Sequence, residues 1–149
     1  MIALLQRVSQ ASVAVGADVV ASIGPGLLVL VGVERGDGPA QAKRLAERLV
    51  EYRVFPDDAG RMNLSVKTAA GSILLVPQFT LAADTRKGHR PGFSKAADPA
   101  EGEALFDALV HEVRALGVPT ARGRFGAAME VALTNVGPVT FWLHAAPRS

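Results

Sequence analysis

The chain contains no cysteine. That excludes disulfide staples, a thiolate nucleophile and cysteine-ligated metal clusters, and it points to a reducing compartment, by default the cytoplasm. Histidine is scarce: His89, His111 and His144 stand far apart without ligand spacing, so no metal site and no cofactor is expected. The run HEVRA at 111–115 opens like a zinc-protease helix but carries Ala115 where a second histidine is required, so it reads as solvated helix surface. An excess of one charge is also missing. Lys and Arg total 16 against 14 for Asp and Glu, a net charge of +2, so any anion-binding surface must come from local clustering. No apolar run approaches the roughly 20 residues that span a bilayer, and Gln6 and Arg7 interrupt the opening MIALLQRVSQ where a signal peptide would need an unbroken apolar core. A soluble, cytoplasmic protein without membrane contact is expected. Nucleotide triphosphate chemistry has no support, because GPG at 24–26 precedes a strand and GDGP at 36–39 lacks the lysine of a phosphate-binding loop. No serine sits in a G-x-S-x-G elbow, which removes the ordinary serine-hydrolase arrangement.

What is present is 149 residues with 49% hydrophobic content, enough for one domain with a full core. IALLQRVSQASVAV (2–15) and DVVASI (18–23) alternate like strands around a Gly-Ala turn, and GLLVLVGV (26–33) reads as a buried central strand. AQAKRLAERLVEYR spaces Leu45, Leu49 and Tyr52 for one helical face, with Asp37 or Gly38 near the cap and Pro39 in the first turn. A short strand around YRVF, a turn at PDDAG and a buried strand SILLV (72–76) follow. A second helix is predicted from about Pro99 to Leu116, ended by Gly117, and two last strands, AMEVALTN and PVTFWLHA, flank Val136 and Gly137. Strands outnumber helices in a single α+β unit spanning 1–149.

Two stretches stand out. In PQFTL (77–81) extended alternation would put Gln78 and Thr80 on one face and pack Phe79 and Leu81 on the other. Strand ends often carry chemistry, yet this one has no His, Asp, Glu or Cys; by itself it reads as a solvated strand terminus. The second is Gly137-Pro138, where proline removes a ladder donor and so belongs at an edge, a bulge or a turn. Base rates alone would make that peptide bond trans.

PQFTLAAD, the loop RKGHRPGFSKAA and the closing TNVGPVTFWL together resemble the D-aminoacyl-tRNA deacylases, also called D-tyrosyl-tRNA deacylases. The resemblance runs from IALLQRVSQASV through GLLVLVGVE, RMNLSV and GRFGAAM to the end. The family motifs S-Q-F-T-L and N-x-G-P-V-T-F are met by Gln78 to Leu81 and by Asn135, Gly137, Pro138, Val139, Thr140 and Phe141. Pro77 departs from the first motif, and Gly92 likewise stands where a serine is expected, which removes hydroxyl contacts at both positions.

The resemblance implies a mostly antiparallel, barrel-like sheet with two packed helices, and a homodimer with its active site at the subunit interface. It implies a cis Gly137-Pro138 peptide reaching into the partner's pocket as a chiral gate, with Pro77 beside the substrate and Arg7 holding the proline loop. The substrate would be D-aminoacyl-tRNA, with glycyl-tRNA also cleaved, since a gate that rejects a Cβ cannot reject glycine. Gln78 would orient the ester and backbone N–H groups near Phe79 and Thr80 would stabilise the oxyanion, while the tRNA's own 2′-hydroxyl handles the proton. Phe125 and Met129 would line a pocket for the terminal adenosine, although an aromatic and a methionine at that spacing are more often plain core. Arg86, Lys87, Arg90 and Lys95, with His89, would meet acceptor-stem phosphates. Two other classes remain open from the residues alone: a non-catalytic nucleic-acid-binding module, and a Thr80-dependent hydrolase of small esters, which would need an activating base that no motif supplies.

Overall fold

Strand β1 (Ile2–Val15) is the middle of the sheet in the computed structural model, which describes residues 1–147. It turns at Gly16, where φ is +60°, into β2 (Asp18–Ile23), and β3 (Gly26–Gly32) continues the return beside the first half of β1. Helix α1 (Pro39–Glu51) and a small hairpin of β4 (Phe55–Pro56) and β5 (Met62–Leu64) then lead to β6 (Ser72–Pro77), parallel to β3. A 3-10 turn (Phe79–Ala82), a long loop and α2 (Pro99–Ala115) lead to β7 (Thr120–Arg122), parallel to β6. Finally β8 (Glu130–His144) returns antiparallel along the other edge of β1. The sheet is mixed and curls into a nearly closed barrel, with β2 brought back toward β7.

The central strands are buried on both faces, as their continuous apolar runs require. Leu27, Val29 and Val31 face the two helices together with Ile73, Leu75, Leu45, Leu49, Phe106 and Leu109. Leu28 turns the other way with Leu74, Val76, Val8 and Val13 into the hollow of the curl. Gly26 permits the close start of β3, since a Cβ there would lie 1.8 Å from the Ser72 carbonyl oxygen. Gly38 caps α1, and its N–H donates to Gln41 Oε1 at 2.8 Å. Gly117, at φ +87°, ends α2 one residue past its cap.

Three expectations are corrected. The strand does not run on through PQFTL: Pro77 ends β6, Gln78 N–H makes one last bond to Val31 O at 2.7 Å, and the chain then coils. Phe79 consequently points out, 60% exposed, instead of packing inward. The physical reason is that Gln78 O accepts Leu81 N–H, so a local turn takes the carbonyl that an extended chain would offer a neighbouring strand. Second, the chain near YRVF supplies only the two residues Phe55–Pro56, paired with Met62–Leu64 across the PDDAG turn. Third, the two closing strands expected on either side of Val136 and Gly137 are one strand, β8, while β7, too short to show a period, went unpredicted.

One buried polar knot ties the first residue to the loop before α1 and to the end of β8. The Met1 ammonium is fully buried and donates to Asp37 Oδ1 (2.8 Å), Glu34 Oε1 (3.1 Å) and Ala145 O (2.7 Å). Asp37 Oδ2 also accepts Glu34 N–H at 2.8 Å, and His144 Nε2 lies 2.5 Å from Glu34 Oε1. Burial by itself would raise the Glu34 carboxyl, but hydrogen bonds from His144 and the Met1 ammonium, and their charges, outweigh it and hold the group below its ordinary value. Truncating Asp37 to Ala strips a buried cation of one anion and should cost about 3 kcal/mol in urea unfolding. The depressed Glu34 carboxyl stabilises the fold fully above the unfolded-chain value near 4.5 and progressively less as pH falls below it. Glu34→Gln should therefore flatten the stability profile on the acid side of that value.

Candidate active site

The register between β1 and β8 creates the first part of the site. Gln6 pairs with Thr140, but Val8 pairs with Asn135, so four residues, Val136 to Val139, are squeezed out of the ladder opposite Arg7. Pro138 has no N–H to give to a ladder, which suits it to this extruded loop. The Gly137–Pro138 peptide is cis and Gly137 has φ +126°. Arg7, although on β1, spends its side chain on the loop: Nε donates to Val136 O at 3.1 Å and Nη1 to Val54 O at 2.8 Å. Asn135 closes the base of the loop, accepting Val139 N–H at 3.0 Å and donating to Thr140 Oγ1 at 2.9 Å. Val136 is 41% exposed, and Gly137 and Pro138 are exposed too. The loop is thus held firmly at its base and offered outward.

The second part is a cleft of about 480 Å³ between the end of β6, the 3-10 turn, α2 and the segment before β8. Pro77, Gln78, Phe79, Phe125 and Met129 all line it, so five of the residues singled out in the sequence meet in one place. Its walls are otherwise apolar. Gln78 Nε2 donates to Thr80 Oγ1, and among the described residues the Thr80 hydroxyl has no other side-chain partner. An amide cannot take a proton from a hydroxyl, so the contact orients Thr80 without activating it. Phe79 and Thr80 head the 3-10 turn, which leaves their N–H groups without partners inside it. Arg7, Gly137 and Pro138 do not line this cleft.

Sequence reasoning missed the far wall. Gly102, buried on α2, faces Phe125, where a Cβ would make ordinary contact 3.5 Å from Cζ, and Phe106 lies one turn on. Gly123 likewise lets Met129 Sδ and Pro77 Cδ approach to 3.0 and 3.3 Å of where a Cβ would be. The available signal was a glycine inside an otherwise good helix, which usually has a packing reason.

The basic loop is more structured than its composition suggests. Asp84 and Gly92 exchange backbone bonds of 2.7 and 3.0 Å, and Arg86 folds back onto Asp84 with Nε and Nη2 at 2.9 and 2.7 Å. The side-chain and backbone bonds from Arg86 hold the Asp84 carboxyl well below the usual carboxylate range. Lys87, Arg90 and Lys95 form no ion pair among the described residues. Arg86, Lys87 and Arg90 share a shallow hollow of about 390 Å³ with Asp84, Gly92 and Ser94. Lys95 does not line it, its backbone being bonded instead to Arg35 N–H at 2.9 Å.

A curled sheet with two helices on one face and a cleft at the end of a parallel strand defines the structural class. It is shared by a solved structure described as c-Myc DNA Unwinding Element Binding Protein, with a TM-score of 0.94 and 34% identity over 98% of this chain and 99% of that one. The chain belongs to the D-Tyr-tRNA(Tyr) deacylase family, whose pattern it matches over residues 4–144. Its relatives include the D-aminoacyl-tRNA deacylase of Thioalkalivibrio sulfidiphilus, 60% identical over 99% of both chains. That of Cronobacter sakazakii is 58% identical over 96% of this chain and 99% of its own. The family is one of hydrolases, and no helix here is long and apolar enough to cross a membrane.

The wall at Gly102 gives a direct test of the cleft's packing. Gly102→Ala should leave thermal stability unchanged or raise it by up to about 1 kcal/mol, because the methyl meets Phe125 at ordinary contact and relieves a helix glycine. Gly102→Leu overfills the same space and should lower stability by about 1–3 kcal/mol in urea unfolding.

Proposed function

We propose that the protein hydrolyses the ester joining a D-amino acid to the 3′ end of tRNA, releasing tRNA and the free amino acid as a proofreading step in translation. The observation that carries this reading is the extruded Val136–Val139 loop, pinned by Arg7 and Asn135 and pointing outward with its glycine and proline. In a homodimer such a loop enters the partner's cleft, which supplies the stretch of wall that one protomer lacks. The Gly137 and Pro138 carbonyls then stand against the substrate's α-carbon, so an L-residue meets them with its Cβ and a D-residue points away. Rejection of this kind does not grip the accepted side chain, and it leaves glycine acceptable.

The chemistry follows from what the cleft contains. Gln78 orients the ester, the N–H groups of Phe79 and Thr80 stabilise the developing oxyanion, and the 2′-hydroxyl beside the ester moves the proton. Phe125 and Met129 hold the terminal adenosine with Pro77 beside the substrate, and Lys87, Arg90 and Lys95 take acceptor-stem phosphates, joined by Arg86 when it releases Asp84. A surface pair of that kind is worth little, so a phosphate displaces it easily. The protein works in the cytoplasm without a cofactor. A second reading, a non-catalytic nucleic-acid-binding module, is favoured by the 34% identical structural neighbour, which is described as a DNA unwinding element binding protein.

Incubation with D-tyrosyl-tRNA, L-tyrosyl-tRNA and a simple D-amino-acid ester separates the readings. Hydrolysis of the first alone is expected, with slower cleavage of glycyl-tRNA; binding without turnover favours the module, and turnover of the free ester favours a Thr80 hydrolase. Thr80→Ala should retain activity within about tenfold, whereas a 2′-deoxy terminal adenosine should lose 10²–10⁴-fold, the usual contribution of a positioned proton carrier. A trapped acyl-Thr80 would overturn the mechanism.

A further inference from the structure

Two large aromatic side chains lie in the open beside the cleft. Phe79 is 60% exposed and Phe93 41%, and their rings touch each other, centroids 5.2 Å apart at 47°. Their position is specific. Phe79 lines the cleft, while Phe93 sits between Gly92 and Ser94, which line the hollow holding Lys87 and Arg90. The pair therefore stands where a strand leaving the cleft must cross toward the cations. Phe93 is also held in place rather than loose, because the Asp84–Gly92 exchange closes the loop next to it and Arg35 Nε binds Ser94 O at 2.8 Å.

We propose that Phe79 and Phe93 form a stacking platform for the unpaired base that precedes the terminal adenosine, with Lys87 and Arg90 holding the phosphates on either side of it. The proposal rests on the deacylase reading and deepens it, extending recognition from the last nucleotide to the single strand behind it. Aromatic rings flanked by lysine and arginine suit a single-stranded nucleic acid, whose bases offer π-faces and whose backbone offers charge at each step. Stacking is indifferent to base identity, so this contact serves every tRNA alike. A preset aromatic pair also spares the strand much of the ordering cost of binding.

The test uses Phe93, whose backbone has no part in the proposed catalysis. Phe93→Ala should lower kcat/KM on D-tyrosyl-tRNA about tenfold, chiefly through KM, and leave hydrolysis of 3′-D-tyrosyl-adenosine, which lacks the preceding base, unchanged. Phe93→Trp should keep wild-type activity on both. An abasic nucleotide before the terminal adenosine should cost the wild type a similar factor and cost Phe93→Ala almost nothing further, since the partner of the stack is already gone. Equal losses on the two substrates, or an abasic penalty undiminished in Phe93→Ala, would show a structural role for the ring and overturn the platform. So would full activity of Phe93→Ala on tRNA. A wild type that hydrolyses neither substrate defeats the deacylase reading itself, and is distinguished from those results by its failure on the adenosine ester.

Discussion

The pairing of β1 with three other strands is the constraint on which the rest hangs. One edge of β1 carries β2 and β3, the other carries β8, and the register along each edge is decided by which of its residues must be buried. Along the β8 edge the register breaks opposite Arg7, and the four surplus residues have nowhere to go but outward. Arg7 then completes the loop from below, through the carbonyls of Val136 and Val54. The extruded loop is thus a defect in a ladder, stabilised by the residue that the defect leaves unpaired on that edge.

The cleft follows a different logic. β6 runs parallel to β3 and ends at Pro77, so the chain breaks into a turn at the carboxyl end of a buried strand, a usual place for a binding crevice in such sheets. Coiling there, in place of extension, has two consequences. It leaves the N–H groups of Phe79 and Thr80 outside the ladder, and it swings the Phe79 ring into the open toward Phe93. Among the described residues the cleft has no acid or base in its wall. The nearby loop adds charge without rigid pairing, apart from Arg86, which Asp84 occupies.

Much of this was legible beforehand for identifiable reasons. Long periods survive reading: β1, α1 and α2 were placed almost to the residue, because burial on one face repeats over many turns. Short pieces did not survive it. β7 has three residues and β4 two, and neither can display a period. PQFTL was misread because its alternation is real in the sequence but is overruled by Pro77 and a local carbonyl-to-N–H bond. The site residues of the first motif were visible as a motif, whereas Gly102 and Gly123 show their purpose only against Phe125, Met129 and Pro77.

By itself, then, the sequence determined the fold class, the two helices, the long strands before β8 and the family, since these depend on local periodicity and on motifs that lie contiguous in the chain. Tertiary structure alone decided that Gln78, Phe125 and Met129 share a cleft, that four residues leave the β8 ladder opposite Arg7, and that Phe79 meets Phe93 in the open. Those facts are differences in register and in packing between segments far apart in the chain, and no local pattern records where one strand will lie against another.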